Sequence, residues 1–224
     1  MKLALSLMLL VACSSAARAD RLETHGFVEA AAGATIPELS STYLKFASPS
    51  FKPSVRGGVE FWPIHAIGFA PEAQIDVMPV NFHANDPIYV RNVATGMDTY
   101  ALNATFVRYR FVAGGRLLFN LGPGAAFIRV LAGVDELAGS EKATAVGAPT
   151  PGGPPSGQRF NFASTAFTVQ AGAGVHFIFV RHMIIGVSID VPIAWQNFGK
   201  PDLGGIQKFT AVDADLMGTL GYRW

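Results

Sequence analysis

Along much of the chain, apolar and polar positions alternate with a period of two. In the last segment Val212, Ala214, Leu216, Leu220, Tyr222 and Trp224 share one parity, while Asp213, Asp215, Thr219 and Arg223 share the other. Successive side chains of a strand point to opposite faces, so this pattern predicts a strand with one apolar face. Met183, Ile185, Val187, Ile189, Val191, Ile193 and Trp195 repeat it against Ser188 and Asp190, and Pro192 excludes a helix there. Phe167, Val169, Ala171, Ala173, Val175, Phe177 and Phe179 repeat it again, with Thr168, Gln170 and His176 between them. Val55, Val59 and Phe61 alternate with Arg56 and Glu60; Phe69, Ala73, Ile75 and Val77 alternate with Glu72, Gln74 and Asp76.

Such runs predict eight strands, at 25–36, 53–62, 67–82, 99–112, 116–132, 160–180, 182–196 and 208–224. The connections between them alternate long and short: 37–52, then 63–66, 83–98, Ala113-Gly114-Gly115, 133–159, Arg181 and 197–207. Tight turns at one end and long loops at the other are the asymmetry of a transmembrane barrel, periplasmic turns facing extracellular loops. The expected fold is all-β: an eight-stranded antiparallel up-and-down transmembrane β-barrel, with both termini on the short-turn side. No stretch beyond residue 19 reaches the roughly 18 apolar residues of a transmembrane helix.

Hydrocarbon offers no hydrogen-bond partners, so such a barrel turns its apolar face to lipid and its polar face inward. With eight strands the interior is only wide enough for side chains to fill. Arg56, Glu60, Glu72, Asp76, Asp190, Asp213, Asp215 and Arg223, together with Gln170 and His176, are therefore expected to fill the lumen as a charge network of both signs. Phe61, Trp62, Tyr109, Phe111, Phe177, Phe179 and Trp195 lie near expected strand ends and read as interfacial girdles. Two features break the pattern. Pro71, Pro79, Pro123 and Pro192 lie inside expected strands, which implies bulges or rim positions. Arg108 and Arg110 share a parity with Tyr100, Leu102, Ala104 and Phe106, which implies either a bulge near Phe106 that turns the arginines inward and Val107, Tyr109 and Phe111 outward, or a place for both arginines at the periplasmic interface.

Composition narrows the picture further. The 224 residues are 50% hydrophobic and 15% charged, with formal net charge +1. This excludes disorder, and a near-neutral chain lacks the basic excess that nucleic acid binding needs. Lys2, the apolar run Leu3–Ala12 and Ala17-Arg18-Ala19 form a secretory signal peptide over residues 1–19, leaving 20–224 as one barrel domain. Cleavage removes Cys13, the one cysteine, along with Lys2 and Arg18, and the remaining chain carries −1. Leu10-Val11-Ala12-Cys13 also resembles a lipobox, in which Cys13 would be lipidated instead. Gly147–Gly157, GAPTPGGPPSG, reads as part of the third outer loop, because three strands after a linker could not close a core.

At the C-terminus Leu220-Gly221-Tyr222-Arg223-Trp224 alternates and ends on an aromatic residue. In this the chain resembles the small eight-stranded outer-membrane barrels of the OmpA/OmpX type, part of the porin-like superfamily, over essentially its whole length beyond residue 19. The resemblance implies residence in the outer membrane of a Gram-negative bacterium, contact with outer-membrane lipids and lipopolysaccharide, and delivery by the barrel-assembly machinery. It also implies that Leu220, Tyr222 and Trp224 form the assembly signal. The family's usual glycine would fall at Thr219, whereas this chain has Gly218, and Trp stands where Phe is commoner.

Candidate chemistry is sparse. His25, His65, His83, His176 and His182 show no metal-pair spacing and no cysteine accompanies them, so no metal or other cofactor is expected. His83, Asn85 and Asp86 cluster before Pro87, which is ordinary turn chemistry. No histidine is followed two residues later by serine, as in the lipid A deacylases that use this barrel. No Asp-Ser pair occurs, as the palmitoyltransferase requires, and no catalytic residue is expected. Gly122-Pro123-Gly124 lacks the lysine of a phosphate loop. The expected role is structural, or surface interaction through the extracellular loops, whose partner the sequence does not identify. The alternatives are a lipid-modifying barrel enzyme, a soluble lipocalin-like barrel with the faces reversed, and a weak ion pathway through an incompletely packed lumen.

Overall fold

A computed structural model describes residues 23–39, 49–83, 88–90, 98–145, 159–180, 182–197 and 208–224. The expected signal peptide with Cys13, the segment Gly147–Gly157, Asn85, Asp86 and Arg181, expected as a turn, lie outside the described residues.

The strands are β1 (Glu23–Leu39), β2 (Ser50–Ile64), β3 (Ile67–His83), β4 (Ile88–Val90), β5 (Asp98–Asn120), β6 (Gly124–Ala145), β7 (Arg159–Phe179), β8 (Met183–Asn197) and β9 (Lys208–Arg223). Every pairing is antiparallel, in the order β3-β2-β1-β9-β8-β7-β6-β5, and β3 pairs with β5 to close the ring. The three-residue β4 prolongs the hairpin along β5, Ile88 opposite Tyr100 and Val90 opposite Asp98. The result is an eight-stranded closed barrel, which leaves no long edge strand unpaired.

Three expectations need correction. Ala113-Gly114-Gly115 is not a turn: the β5–β6 ladder runs without a break from Tyr100↔Ala145 to Asn120↔Ala125. The turn is Leu121-Gly122-Pro123, where Gly122 has a φ of 89° and its N–H donates to the Asn120 side-chain oxygen at 2.7 Å. Two adjacent glycines imitate a turn in sequence, but Gly114 sits where backbones press together. A Cβ there would stand 2.9 Å from the Leu131 Cα. With the turn moved, β6 continues through Gly133–Ala145, residues expected in the outer loop. The arginines do face inward, and Tyr109 and Phe111 outward, but without a bulge near Phe106 and not at a periplasmic site. Phe106, Arg108, Arg110, Val112, Arg116 and Leu118 all face the lumen in one uninterrupted register.

The prolines sit where ladders yield. The β2–β3 register omits Val59, opposite Pro71, and shifts by one residue between Phe61 and Ile64, around Pro63. The β8–β9 register omits Val191 and Pro192. Pro79 pairs toward β5, beyond the last β2–β3 pair at Asp76. Pro123 is in the turn.

The exterior is apolar. Val28, Ile36, Val55, Ile75, Ile128, Val130, Val187, Ile189, Leu216 and Leu220 are all exposed. They include apolar members of the alternating runs, and they cover the outside rather than a core. Strands of 15–23 residues exceed the roughly 9–11 that cross hydrocarbon. At the turn end, the lumen is closed by Phe27, Ala70, Leu118, Ala125, Phe127 and Ile184, with Trp62 and Ile178 packed against them.

Candidate functional site

The lumen is where the polar side chains converge. Above the apolar plug lies a middle layer of three cations and three carboxylates: Arg56, Arg116 and Arg129 with Glu29, Glu72 and Asp190. Arg56 Nε bonds Glu29, and Arg116 reaches Glu29 Oε1 at 3.3 Å and Glu72 Oε2 more closely. Arg129 meets Glu72 Oε1 at 3.2 Å and grips Asp190 through Nε at 2.8 Å and Nη2 at 2.6 Å. The Arg116 guanidinium also lies 4.7 Å from the Phe27 ring centroid and 4.5 Å from that of Phe127, so it joins the layer to the plug.

An outer layer holds Lys52, Arg108 and Arg110 with Asp76, Asp135, Asp213 and Asp215. Lys52 Nζ stands 2.5 Å from Asp215 and 2.9 Å from Asp76. Arg108 bridges Asp135 at 2.7 Å and Asp213 at 2.8 Å, and Arg110 bridges the same two at 3.0 and 2.8 Å. Gln196 Nε2 donates to Asp135 Oδ1 at 3.0 Å. Below the plug, Arg223 pairs with Glu60 at 3.1 Å, and the Trp62 indole donates to the same carboxylate at 3.2 Å. Buried charges are tolerable only when paired and hydrogen-bonded, and the layers supply that.

The structure puts Arg56, Glu60, Glu72, Asp76, Asp190, Asp213 and Asp215 in the lumen, all buried, as it does Gln170 and His176. Arg223 is 17% exposed at the mouth. The alternation did not single out Glu29, Lys52, Arg116, Arg129 and Asp135. Lys52 precedes the expected start of its strand. Arg116, Arg129 and Asp135 were hidden by the misplaced turn, and Arg129 shares its parity with Phe127 and Leu131, which fill the lumen beside it.

Of the expected girdle, Tyr109, Phe111, Phe177, Phe179 and Trp195 face outward and are exposed, and the half-buried Phe61 shares the outward parity of its strand. Trp62 does not belong to it: its ring packs into the plug and over Gly68. Tyr109 and Phe111 were expected beside a turn but lie well above it, Phe111 opposite Ile75 and Val134. Trp195 stacks on Phe167 with centroids 6.0 Å apart, while Tyr222 stacks between His182 and Trp224 at the turn end. Leu220, Tyr222 and Trp224 all lie on the outer surface of β9 and its end, exposed.

No group of three or more His, Cys, Asp or Glu able to hold a metal ion occurs among the described residues. Aliphatic residues outside and ion pairs inside make this a membrane-spanning β-barrel and reverse what a lipocalin-like barrel needs. No family model matches the chain, and no curated protein matches it in sequence. Similar solved structures include Ail, the attachment invasion locus protein of Yersinia pestis, at 12% identity over 90% of this chain and 99% of that one, TM-score 0.47. Neisserial surface protein A is 12% identical over 89% and 98%, TM-score 0.35. The outer-membrane protease OmpT of Escherichia coli is 7% identical over 92% and 99%, TM-score 0.44.

Proposed function

We propose that the protein is a closed, non-catalytic barrel of the outer membrane whose role is structural or adhesive, exerted by the segments beyond its outer rim. The observation that carries this reading is the filled lumen. From Arg223–Glu60 through the Phe27/Phe127 plug to the Arg116 and Arg110 layers, side chains occupy the interior in contact with one another. A transport pathway needs an open or opening lumen, and a nucleophile needs a base beside it; these paired carboxylates and guanidiniums offer neither. The apolar exterior and its aromatic residues support contact with lipid and lipopolysaccharide. The exposed stripe Leu220, Tyr222 and Trp224 supports recognition by the assembly machinery.

Planar-bilayer recording of the refolded protein tests the closed lumen, with no discrete conductance above background as the expected result. Steady unitary currents would show an ion pathway and end this reading. Exchanging residues 146–158 for a short Gly-Ser segment tests where the role resides: barrel formation persists, and binding of cells or envelope components is lost.

A further inference from the structure

The ladder between β2 and β3 stops short of the outer rim, its last pair being Ser54↔Asp76. Beyond that point each strand is held by its other neighbour, β2 through Ala32↔Pro53 to Thr35↔Ser50 and β3 through Pro79↔Val107 to His83↔Asn103. Continuing the β2–β3 register would set Pro53 opposite Val77 and Phe51 opposite Pro79. A strand residue turns its N–H and C=O toward the same neighbour, and successive residues alternate between neighbours. The ladders on the far sides run unbroken through both prolines, so both turn their nitrogens into the β2–β3 seam; the lapse opposite Pro71 falls on the same parity of β3.

Proline has no N–H to donate. The carbonyls of Val77 and Phe51, which those two N–H groups would meet, therefore face the seam without a donor from the opposite strand. At Pro71 the ladder resumes at Phe61↔Phe69, whereas here two successive bonds are lost and no pair follows. On the lumen side of the gap Lys52 and Met78 are buried, and the Lys52 ammonium is committed to Asp76 at 2.9 Å and Asp215 at 2.5 Å. On the lipid side Phe51, Pro53 and Pro79 are exposed, as are Val55 and Ile75 just below them.

Depth identifies what can fill the gap. At about 3.3 Å per residue and a tilt of about 40°, Val77 stands roughly 25 Å above Ile67 at the turn end, the full height of the apolar band. The two carbonyls lie at its outer boundary. Hydrocarbon supplies no donor, and lipids carry their first polar groups at this level, where acyl chains join the headgroup. An ester linkage offers only acceptors there, whereas an amide linkage offers an N–H and a hydroxylated chain an O–H. We propose that the seam is a binding site for an outer-leaflet lipid with amide-linked, hydroxylated acyl chains. Its N–H and O–H donate to the Val77 and Phe51 carbonyls, and its chains pack on Val55, Ile75 and the Phe51 ring. The site makes specific the lipid contact proposed above and rests on that reading, but it needs nothing from the filled lumen or the outer segments.

The test places the whole mature barrel in phosphatidylcholine bicelles, with an N-(β-hydroxymyristoyl)glucosamine lipid or its ester-linked, unhydroxylated counterpart as the probe. The carbonyl carbon resonances of Phe51 and Val77 are expected to move downfield with the amide lipid and not with the ester, while that of Ala73, paired with Gly57, stays still. Equal response to both lipids, or to neither, means that water or the chain itself serves these carbonyls, and overturns the proposal. Pro79→Ala gives β3 an N–H opposite Phe51. It is expected to raise the temperature at which the SDS-resistant barrel opens and to remove the lipid response at Phe51 while Val77 keeps its own. A Phe51 response that survives the substitution also overturns the site. A chain that does not enter the bicelles ends the lipid contact and the site together; an inserted barrel with unresponsive carbonyls ends the site alone.

Discussion

The indole of Trp224 lies over Gly26, the residue it pairs with across the seam between β1 and β9. Gly26 N donates to Trp224 O at 3.1 Å and Trp224 N to Gly26 O at 3.0 Å, and a Cβ on Gly26 would stand 2.7 Å from the indole nitrogen. The aromatic ring covers a glycine whose own side chain could not, a device that pins strand register. Gly26→Val is therefore expected to lower both the folded yield and the temperature of the SDS mobility shift, and Trp224→Ala to lower outer-membrane insertion. Gly218→Ala is the control, since a Cβ there meets nothing nearer than Ala32 O at 3.7 Å. Equal behaviour of the two glycine variants would sink the argument.

Adjacent residues on opposite faces should differ sharply. Asp135 is buried against Arg108, Arg110 and Gln196, whereas its neighbour Glu136 is exposed on the outside, opposite Tyr109 and Thr165. Asp135→Ala leaves two buried guanidiniums short of a partner and is expected to cost about 3–5 kcal/mol in urea unfolding from vesicles. Glu136→Ala is expected to stay within about 0.5 kcal/mol of the parent. Similar losses at both positions would mean that the faces are misassigned.

Arg116 holds together what the lumen separates, touching Glu29 and Glu72 above and the Phe27 and Phe127 rings beside them. Arg116→Ala takes one of two cationic partners from each of Glu29 and Glu72, together with the contact to both rings, and is expected to cost about 3–5 kcal/mol. Arg223→Ala, at the partly solvated mouth, leaves the buried Glu60 with the Trp62 indole as its named partner and is expected to cost less, about 1–3 kcal/mol. Denaturant titration of both variants compares them directly, and a larger loss at Arg223 would contradict this ranking.

The position of the second short turn can be checked by insertion. A four-residue Gly-Ser insert after Gly122, in the turn, is expected to leave the heat-modifiable form intact. The same insert after Gly114 breaks the pairing with Leu131 and with Glu72 on the other flank, and is expected to abolish it. Proteolysis from the periplasmic side offers a second readout, with cleavage confined to the Gly122 insert. A folded barrel from the Gly114 insert would restore the turn to 113–115.

Four of the runs show how far alternation reaches. In β2, β3, β8 and β9 one parity is aliphatic and the other polar, so faces, strands and barrel class follow from residue order alone. In β5 and β6 both parities carry apolar side chains, because Phe106, Val112, Leu118, Phe127 and Leu131 fill the lumen while Leu117, Ile128 and Val130 cover the outside. Period two then loses its contrast, and the Gly114-Gly115 pair became the strongest local signal. Trp62, on the lumen-facing parity at the end of β2, reads as a girdle residue from its place near the strand end, whereas its ring packs against the plug.

Residue order alone carries the strand-rich alternating chain, its apolar exterior and most of the acidic side of the lumen. These depend on local facts: successive strand side chains alternate, and lipid accepts only apolar ones. Tertiary structure alone decided which charges meet. Lys52 and Asp215 lie 163 positions apart yet form an ion pair, and Arg108 reaches Asp213 across 105. Such pairs are set by ring closure and register, which bring distant strands to the same height around one narrow axis, and no local pattern encodes that height.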